Sequence, residues 1–407
     1  MKKIYSLIAT TLLLTGCIDY DDVSREVSVS VQLQMPAEFT EGSDFEGHDV
    51  TLSAGSATLT ARTDAQGVAT FTGLVPDVYD VSTSWKISGA QYRQFTGEQQ
   101  SVSGCTVTGT LNAHLIKEDG QHIVLATNLS VDRDIVISKI ASAGSKDFNN
   151  RNYMAGKYLE LYNQADDSVD VSGLYIGLLD SSNPQPFTLD NLHELYADSA
   201  IVVKQVFRIP AEKPFMLAPG ATVLLTNSAI DHTTVGELEP NLLDADFEAK
   251  DVTGNTQNNP ATPALITAWS AYSANATMNL VQGGPCGVVI FRTDEAITEW
   301  PLTYAYGKTS GQQYLLVPKR VVLDGVDYLK NKATGVDVTS KRLYPEIDAS
   351  YTHINAASGW TGEVVYRRTA SIAADGHKIL MDTNNSLNDF KVSTTIKPRQ
   401  YDEGSEN

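Results

Sequence analysis

The chain has 407 residues, 42% of them hydrophobic, and a formal net charge of −19 at pH 7. Such an excess of negative charge repels nucleic acid and anionic lipid surfaces, so we do not expect DNA or RNA binding. Beyond the N-terminal segment, no apolar run approaches the about 18 residues of a candidate membrane-spanning helix. The chain is too long for one small core, so we expect two or more domains.

The first 16 residues are predicted to be a secretory signal. Lys2 and Lys3 precede the apolar stretch Ile4–Leu14, which is too short to span a bilayer. The run Leu13-Leu14-Thr15-Gly16-Cys17 resembles the lipobox of bacterial lipoproteins. The resemblance implies that Cys17 is acylated on sulfur and becomes the mature N-terminus, and two or more acyl chains suffice for stable membrane attachment. An ordinary signal peptide with an incidental cysteine is the alternative.

Residues 17–25 are predicted to form a lipidated, acidic tether. The segment Ile18-Asp19-Tyr20-Asp21-Asp22 resembles the export signal that sends lipoproteins of the Bacteroidota to the outer face of the outer membrane. The resemblance implies an outer-membrane lipoprotein that faces the cell exterior. A solvated tether without export information is the alternative.

The first predicted domain, residues 26–118, is a small β-sandwich. Apolar and polar residues alternate over Val27–Met35, which is the period of a half-buried strand. Asp64–Gly67 and Gly73–Asp77 predict turns between further strands. The stretch Thr63–Val81 resembles the prealbumin-like sandwiches of carboxypeptidase regulatory-like and collagen-adhesin B-type domains. The resemblance implies a spacer, an adhesin unit or a docking domain.

A short charged junction, Lys117–Gln121, precedes the second predicted domain, residues 122–398. The domain contains strand-like segments separated by turns, at Ile135–Ile140, Lys157–Gln164, Val169–Ile176 and Leu217–Thr226. Their order is similar to the lamin-tail domain, an Ig-like β-sandwich, with a long insertion between residues 180 and 216. The predicted fold class is therefore all-β: a small prealbumin/Ig-like sandwich followed by a larger lamin-tail-like sandwich with long loop insertions.

Three segments of the second half carry more specific expectations. Residues 227–280 are poor in strand pattern and predict a long surface excursion, partly helical near Ala264–Asn275. Val321–Tyr328 predicts two strand halves around a turn at Asp324-Gly325. The charged tail, residues 399–407, is predicted to be frayed.

The whole layout resembles an uncharacterised family of Bacteroidota outer-membrane lipoproteins. The resemblance rests on Asn150–Tyr153, Leu159–Asn163, Arg320–Tyr328, Asp382–Ser386 and Asp389-Phe390. It implies a protein linked to a TonB-dependent uptake system and assigns no activity to the fold.

The motifs of several enzyme classes begin in this sequence but are incomplete. His193-Glu194 starts like a zinc-protease helix, but Ala197 stands where the second histidine would bind the metal. Gly307-Lys308-Thr309 matches the end of a phosphate-binding loop, but Leu302 replaces the required glycine. The chain has no Gly-x-Ser-x-Gly sequence of a hydrolase. We therefore predict a non-enzymatic protein without a cofactor.

Two groups of residues are candidates for binding. The first group consists of alternating carboxylates on one loop, which can converge on Ca²⁺: Asp244, Asp246, Glu248 and Asp251. A solvated acidic loop is the simpler interpretation of these residues. The second group consists of aromatic residues in or beside loops, whose rings can stack on a sugar or contact a partner: Trp269, Tyr272, Trp300, Tyr304, Tyr306 and Trp360. Ordinary core packing is the alternative for these rings.

Cysteine and serine residues are candidates for covalent modification. Besides Cys17, the chain contains Cys105 and Cys286, which either pair in an oxidising compartment or are two separately buried thiols. Asp167-Ser168-Val169 and Asp198-Ser199-Ala200 fit the O-glycosylation pattern of periplasmic and surface proteins of the Bacteroidota. Ser168 and Ser199 are therefore candidate glycosylation sites.

These features lead to one principal hypothesis and two alternatives. The principal hypothesis is a non-enzymatic outer-membrane lipoprotein that binds a partner or ligand as an accessory to a TonB-dependent transporter. The alternatives are a glycan-binding surface adhesin and a hydrolase with an unrecognised pair of carboxylates. The sequence leaves open the ligand, the leaflet and the oligomeric state.

Overall fold

A computed structural model of the chain describes residues 26–54, 57–97, 104–180, 187–272 and 277–403. The chain divides into two compact units, Met1–Asp132 and Arg133–Asn407. Strands dominate both units, which confirms the predicted all-β class. Within the described residues, no helix is long and apolar enough to cross a membrane.

The secondary structure of the first unit consists of strands and one short helix: β1 (Val27–Gln34), β2 (Asp49–Ala54), β3 (Ala57–Arg62), β4 (Val68–Leu74), β5 (Asp77–Ser88), α1 (Gly89–Thr96), β6 (Gly104–Ile116), β7 (Gln121–Ala126) and β8 (Asn128–Asp132).

Two sheets enclose the core of the first unit. Their strand orders are β4-β1-β7 and β3-β2-β5-β6-β8. The alternating residues of β1 behave as predicted, because Val29, Val31 and Leu33 are buried against Val50 and Leu52 of the other sheet. The turn predicted at Asp64–Gly67 is confirmed: the Asp64 carboxylate accepts hydrogen bonds from the backbone amides of Gln66 and Val68.

The junction between the units differs from the prediction. Lys117–Gln121 does not separate the units, because β7 pairs in parallel with β1 and β8 pairs antiparallel with β6. The first unit therefore extends to Asp132 rather than ending at residue 118. Such parallel pairing joins residues far apart in sequence, so local pattern could not reveal it.

The second unit contains the remaining elements: β9 (Ile135–Ala141), β10 (Ser145–Lys146), β11 (Asn152–Tyr153), β12 (Tyr158–Asn163), β13 (Val169–Asp170), β14 (Tyr175–Leu179), α2 (Leu189–Tyr196), β15 (Ala200–Arg208), β16 (Met216–Leu217), β17 (Thr222–Thr226), β18 (Phe247–Glu248), β19 (Ile266–Ser270), β20 (Val288–Phe291), β21 (Leu302–Tyr304), β22 (Gln313–Pro318), β23 (Val322–Val326), β24 (Asn331–Lys332), β25 (Gly335–Val336), β26 (Val364–Arg367), β27 (Thr369–Ile372), β28 (Lys378–Leu380), α3 (Ser386–Asp389) and β29 (Phe390–Ser393). Short 3-10 helices lie at His232–Thr234, Ile297–Glu299, Lys319–Val321 and Val338–Ser340.

The second unit is a sandwich of two larger sheets. One has the order β18-β17-β12-β9-β26-β29, and the other has the order β21-β22-β15-β14-β20-β23 with β19 paired to β15. Leu159 and Leu161 of the first sheet pack with Ile176, Phe207 and Ile290 of the second. Strands β14 and β20 are buried on both faces, because a second apolar cluster covers their outer side. This explains why their sequences are continuously apolar rather than alternating.

Three local predictions for the second unit are wrong. Asp324-Gly325 is not a turn but lies inside β23, where Asp324 is 1% exposed. Of the segment 264–275, the structure describes residues 264–272, and these contain the strand β19 rather than a helix. The segment from residue 227 onwards is partly core, since Leu242 and Phe247 are buried.

The predicted frayed tail is ordered as far as Glu403. Tyr401 is buried, and its hydroxyl donates to Glu160 Oε2 at 2.9 Å. Lys139 Nζ donates to the carbonyl oxygens of Lys397 and Gln400. The Tyr401 hydroxyl and the Gln400 carbonyl of the tail are therefore partners of the buried Lys139–Glu160 ion pair.

The two cysteines of the described residues are separately buried thiols. Cys105 lies in β6 of the first unit and Cys286 in the second, and neither forms a disulfide. This agrees with the second of the two sequence alternatives.

Candidate functional site

The second unit has a pocket of about 300 Å³ at the edge strand β29, which we call the basic pocket. Its lining contains three basic side chains and no Asp or Glu: Tyr351, Thr352, His353, Asn355, Arg368, Ser386, Leu387, Phe390, Lys391 and Val392.

Arg367, the last residue of β26, fixes the floor of the basic pocket from within the core. Its guanidinium is 2% exposed and pairs with Asp324 at 3.0 Å, Asp382 at 3.1 Å and Asp389 at 3.3 Å. Its Nε also donates to the carbonyl oxygen of Ile137 at 2.8 Å. Burial alone would lower the pKa of Arg367, but the three carboxylates raise it above its usual value. The network joins three strands and the loop before α3, so the backbone here is well held.

Arg368 follows Arg367 and, by the alternation of an extended chain, faces the opposite side. Its backbone N–H donates to Asp389 O, and its carbonyl oxygen accepts from Met381 N. Its side chain has no hydrogen-bond or ion-pair partner among the described residues, and the buried Nε atom lacks an acceptor. A guanidinium carries five donors, so Arg368 has free capacity to bind an anion.

The other two basic residues of the basic pocket are already engaged. Lys391 Nζ pairs with Asp402 Oδ2 at 2.8 Å and is 43% exposed. His353 Nδ1 lies 2.8 Å from the carbonyl oxygen of Ile354. Arg368 is therefore the cation of the pocket without an internal partner in the described chain.

Asp348 joins the two walls of the basic pocket. Its Oδ1 accepts from the amides of Ser350, at 3.2 Å, and Ser386, at 2.9 Å, and its Oδ2 accepts from Ser386 Oγ at 2.6 Å. One wall therefore begins beside Ser350 and the other at Ser386, and a single carboxylate positions both. Burial raises the pKa of Asp348 to about 6, although these hydrogen bonds oppose the shift.

The rim of the basic pocket is partly apolar. The Tyr351 and His353 rings lie 6.3 Å apart between centroids and are half-buried. Leu387 on α3 is 52% exposed and adds aliphatic surface. The pocket thus combines an unpaired cation with aromatic and aliphatic surface.

A second concave surface of about 290 Å³, which we call the acidic groove, lies elsewhere on the same unit. Glu237, Glu239 and Glu363 line it together with Lys397. Glu239 Oε1 accepts from Ser145 Oγ at 2.5 Å, and burial raises the pKa of Glu239. Glu363 accepts from the amides of Asn355 and Ala356 and from Thr361 Oγ1. The two buried carboxylates therefore hold neighbouring loops in place.

Three buried reactive side chains lie near one another in the second unit: Lys157, Lys204 and Cys286. Burial lowers the pKa of Lys157 to about 8, and its Nζ donates to Leu280 O at 2.6 Å. Burial also lowers the pKa of Lys204 and raises that of the Cys286 thiol. Cys286 is 2% exposed, so we interpret it as a core thiol.

The four acidic residues predicted as a cation site do not converge. Asp244 and Asp246 pair with Arg399, at 3.2 and 2.9 Å. Glu248 is buried and pairs with Lys250, whereas Asp251 accepts from Thr253 and Thr256. In the described part of the chain, no three His, Cys, Asp or Glu side chains come together as a possible metal site. These four carboxylates, weighed from the sequence as weak candidates beside the simpler interpretation of a solvated acidic loop, therefore do not gather at one point in the structure.

The aromatic candidates do not form one surface. Trp300 is 7% exposed, and its Nε1 donates to Glu295 Oε2 at 2.7 Å. Trp269 packs against the same apolar cluster as Trp300, and burial raises the pKa of Tyr272. Trp360 is half-buried beside Gly144 and has a φ of 73°. Core packing accounts for Trp300, and none of these four residues lines the basic pocket.

The candidate modification sites have different outcomes. Ser168 lies exposed in the turn before β13, and Ser199 is exposed between α2 and β15. Both are accessible, and their glycosylation stays a prediction. Cys17, the signal peptide and the acidic tether lie outside the described residues.

Sequence reasoning did not find Arg367, Arg368 or Asp348. A partial signal was present, because the segments Arg320–Tyr328 and Asp382–Ser386, with Asp389, contain carboxylates of the buried network. Those segments carried the family resemblance, and the structure gives them a common role in supporting the basic pocket.

Comparison with known proteins relates this chain to a protein family whose function is unknown. Residues 218–397 match the family model described as "Protein of unknown function (DUF4876)". A crystal structure of a DUF4876 family protein from Bacteroides thetaiotaomicron VPI-5482 is similar to this chain, with a TM-score of 0.56 and 18% identity over 90% of this chain and 94% of that one. A comparison with curated proteins finds no match. The chain therefore shares the fold of this Bacteroides protein and matches the same family over residues 218–397.

Proposed function

We propose that this protein is a non-enzymatic outer-membrane lipoprotein whose second unit binds a ligand or partner for a TonB-dependent uptake system. The observation that carries the binding role is the unpaired Arg368 guanidinium in a preformed pocket. A cation left without an internal partner is a favourable place for recognition of a charged group.

The anchoring part of the proposal rests on the sequence. Cys17 ends a lipobox-like run, and acidic residues follow it directly. The prealbumin-like first unit would act as a stalk or a dock, and the lamin-tail-like second unit would carry the binding pocket.

Binding fits the basic pocket better than catalysis does. Its lining offers no carboxylate and no thiol, and the Ser386 hydroxyl donates to the buried Asp348 carboxylate in a contact that ties α3 to the loop at residues 348–350. His353 shares Nδ1 with a backbone carbonyl. The pocket thus offers recognition groups, while the hydroxyl–carboxylate pair beside it, Ser386 with Asp348, is buried.

Membrane attachment is tested by metabolic labelling with an alkyne analogue of palmitate, followed by fractionation of membranes. The full chain should carry the label in the outer-membrane fraction, and Cys17→Ala should lose both the label and the attachment. Cys105→Ala is the matched control, because Cys105 is buried in the first unit and should leave labelling unchanged. Label retained by Cys17→Ala would overturn the lipid assignment.

Association with an uptake system is tested by affinity purification of the tagged chain from solubilised outer membrane of its native host. We expect a TonB-dependent transporter to co-purify with it. Recovery of no transporter and no other membrane partner would count against this part of the proposal.

A hydrolase is the second candidate, because Glu239 and Glu363 line one groove and burial raises the pKa of Glu239. A raised pKa suits a general acid. Glycosidases require two carboxyl groups facing one cleft, of which at least one contacts substrate. Hydrolysis of aryl glycosides that disappears in Glu239→Gln but persists in Glu237→Gln would favour this candidate, and the absence of hydrolysis in the unmodified chain would remove it.

A further inference from the structure

We propose that the basic pocket binds an acidic sugar, with Arg368 contacting its carboxylate or sulfate group. This inference rests on the proposed binding function and names the chemical class of the ligand.

The pocket contains a positive charge without a negative partner, and we therefore expect its ligand to be negatively charged. The chain as a whole is strongly acidic, with a net charge of −19, so an unpaired cation is unexpected on its surface. Yet the pocket lining contains no carboxylate, and Arg368 has no side-chain partner among the described residues. A guanidinium forms paired hydrogen bonds with planar or tetrahedral oxyanions, which suits a carboxylate or a sulfate ester.

The nearby charges leave Arg368 as the main contact. Lys391 also lines the pocket, but it pairs with Asp402 at 2.8 Å. Arg367 is buried and faces three carboxylates on the other side of the strand. Lys391 keeps its pair with Asp402 and adds attraction, whereas the Arg368 side chain has no carboxylate partner in the described chain.

The uncharged residues of the pocket lining indicate what the rest of the ligand is. Asn355 is exposed and offers an amide that can donate to and accept from hydroxyl groups, and Thr352 adds a hydroxyl. The half-buried Tyr351 ring and the exposed Leu387 provide flat apolar surface of the kind that packs against a sugar ring. A volume of about 300 Å³ is at the lower limit for ligand pockets, so we expect one or two sugar units.

The position of Arg368 is preformed, which favours binding. Its backbone is held on both sides by hydrogen bonds to Asp389 and Met381, and Asp348 fixes the two pocket walls. Little backbone order has to be gained when a ligand enters, so less binding energy is lost to ordering the site.

The test is saturation-transfer difference NMR on the full chain, titrated with glucuronate, glucose 6-sulfate and glucose as probes. We expect saturable binding of at least one anionic probe, and binding of glucose that is at least tenfold weaker or undetectable. Glucuronate and the sulfate ester distinguish the two possible anions. Equal binding of glucose and both anionic probes, or no binding of either anion, would overturn the proposal.

Substitution assigns the binding to the pocket. Arg368→Gln should weaken binding of the anionic probe at least tenfold, since it removes the charge and most of the donors. Arg320→Gln is the matched control, because Arg320 is exposed and pairs with Glu295 away from the pocket lining. Circular dichroism and thermal unfolding show whether each variant is folded, and unchanged binding by folded Arg368→Gln would overturn the assignment.

The two levels of the proposal can fail separately. A chain that carries lipid and co-purifies with a transporter, yet binds neither anion, retains the proposed function and loses the acidic-sugar assignment. A chain that binds the anionic probe but lacks lipid and a membrane partner retains the site and loses the membrane role.

Discussion

The basic pocket and the acidic groove lie on the same unit and have similar volumes, but their charges are balanced differently. In the acidic groove, Glu239 and Glu363 accept hydrogen bonds from hydroxyl and backbone groups, so the carboxylates serve the fold. In the basic pocket, the supporting charges are buried beneath the surface and Arg368 is left without a partner. The comparison teaches that a candidate site is better identified by an unsatisfied charge than by the number of charges that line it.

The contrast is sharpest between two adjacent arginines. Arg367 faces the core and is surrounded by carboxylates, whereas Arg368 faces the pocket. The first should matter for stability and the second for binding, and the following predictions are ordered by the size of their expected effect.

The largest effect is expected for Arg367→Met. The substitution leaves Asp324 and Asp389, each 1% exposed, without their buried cation, and breaking a buried ion pair from one side costs about 3–5 kcal/mol. Urea denaturation followed by tryptophan fluorescence measures the loss. Arg320→Met breaks an exposed pair and should cost less than about 1 kcal/mol. Equal losses in the two variants would contradict the supporting role of Arg367.

A pH-dependent effect is expected from Asp348. Because its folded pKa of about 6 lies above the ordinary 3.8, its contribution to stability is present at low pH and is lost as the pH rises through 6. The free energy of unfolding of the unmodified chain relative to Asp348→Asn should therefore fall by about 3 kcal/mol between pH 3 and pH 7. Urea denaturation at several pH values measures the difference. Parallel pH profiles would show that Asp348 titrates normally.

An intermediate effect is expected in the acidic groove for Gly156→Ala. A Cβ at this position would clash with Glu239 Oε2 and lie 3.1 Å from Pro240 Cδ. Overpacking of this kind costs about 1–3 kcal/mol in the free energy of unfolding. The same substitution in a Glu239→Ala background is the control, because truncation of the glutamate should relieve most of the cost. If Gly156→Ala costs as much stability in the Glu239→Ala background as in the unmodified chain, the added methyl group does not clash with Glu239.

The smallest effect on stability is expected for Arg368→Gln. Its side chain has no polar partner in the described chain, so the free energy of unfolding should change by less than about 0.5 kcal/mol. Thermal unfolding of Arg368→Gln and of Arg367→Met, measured under the same conditions, compares the losses of stability at the two adjacent positions. A loss close to that of Arg367→Met would mean that Arg368 also supports the fold, and would weaken the binding proposal.

Local patterns were sufficient for several elements of this protein. The alternation of Val27–Met35 predicted β1, and Asp64–Gly67 predicted the turn before β4. The strand-like segment Ile135–Ile140 predicted β9. These features depend on side-chain period and on turn chemistry, which neighbouring residues determine by themselves. The all-β class follows from the same information.

Only the tertiary structure decided where the charges meet. Asp324-Gly325 is a turn signal by sequence, but Asp324 instead lies in a strand because Arg367, Arg133 and the Ile137 amide bind its carboxylate. These partners are distant along the chain, and no local pattern encodes their convergence. The same holds for Arg368, whose lack of a partner is a property of the folded surroundings. The sequence by itself determined the strands and the predicted anchor, and the packing of the sheets decided which arginine supports the core and which one is left free to bind.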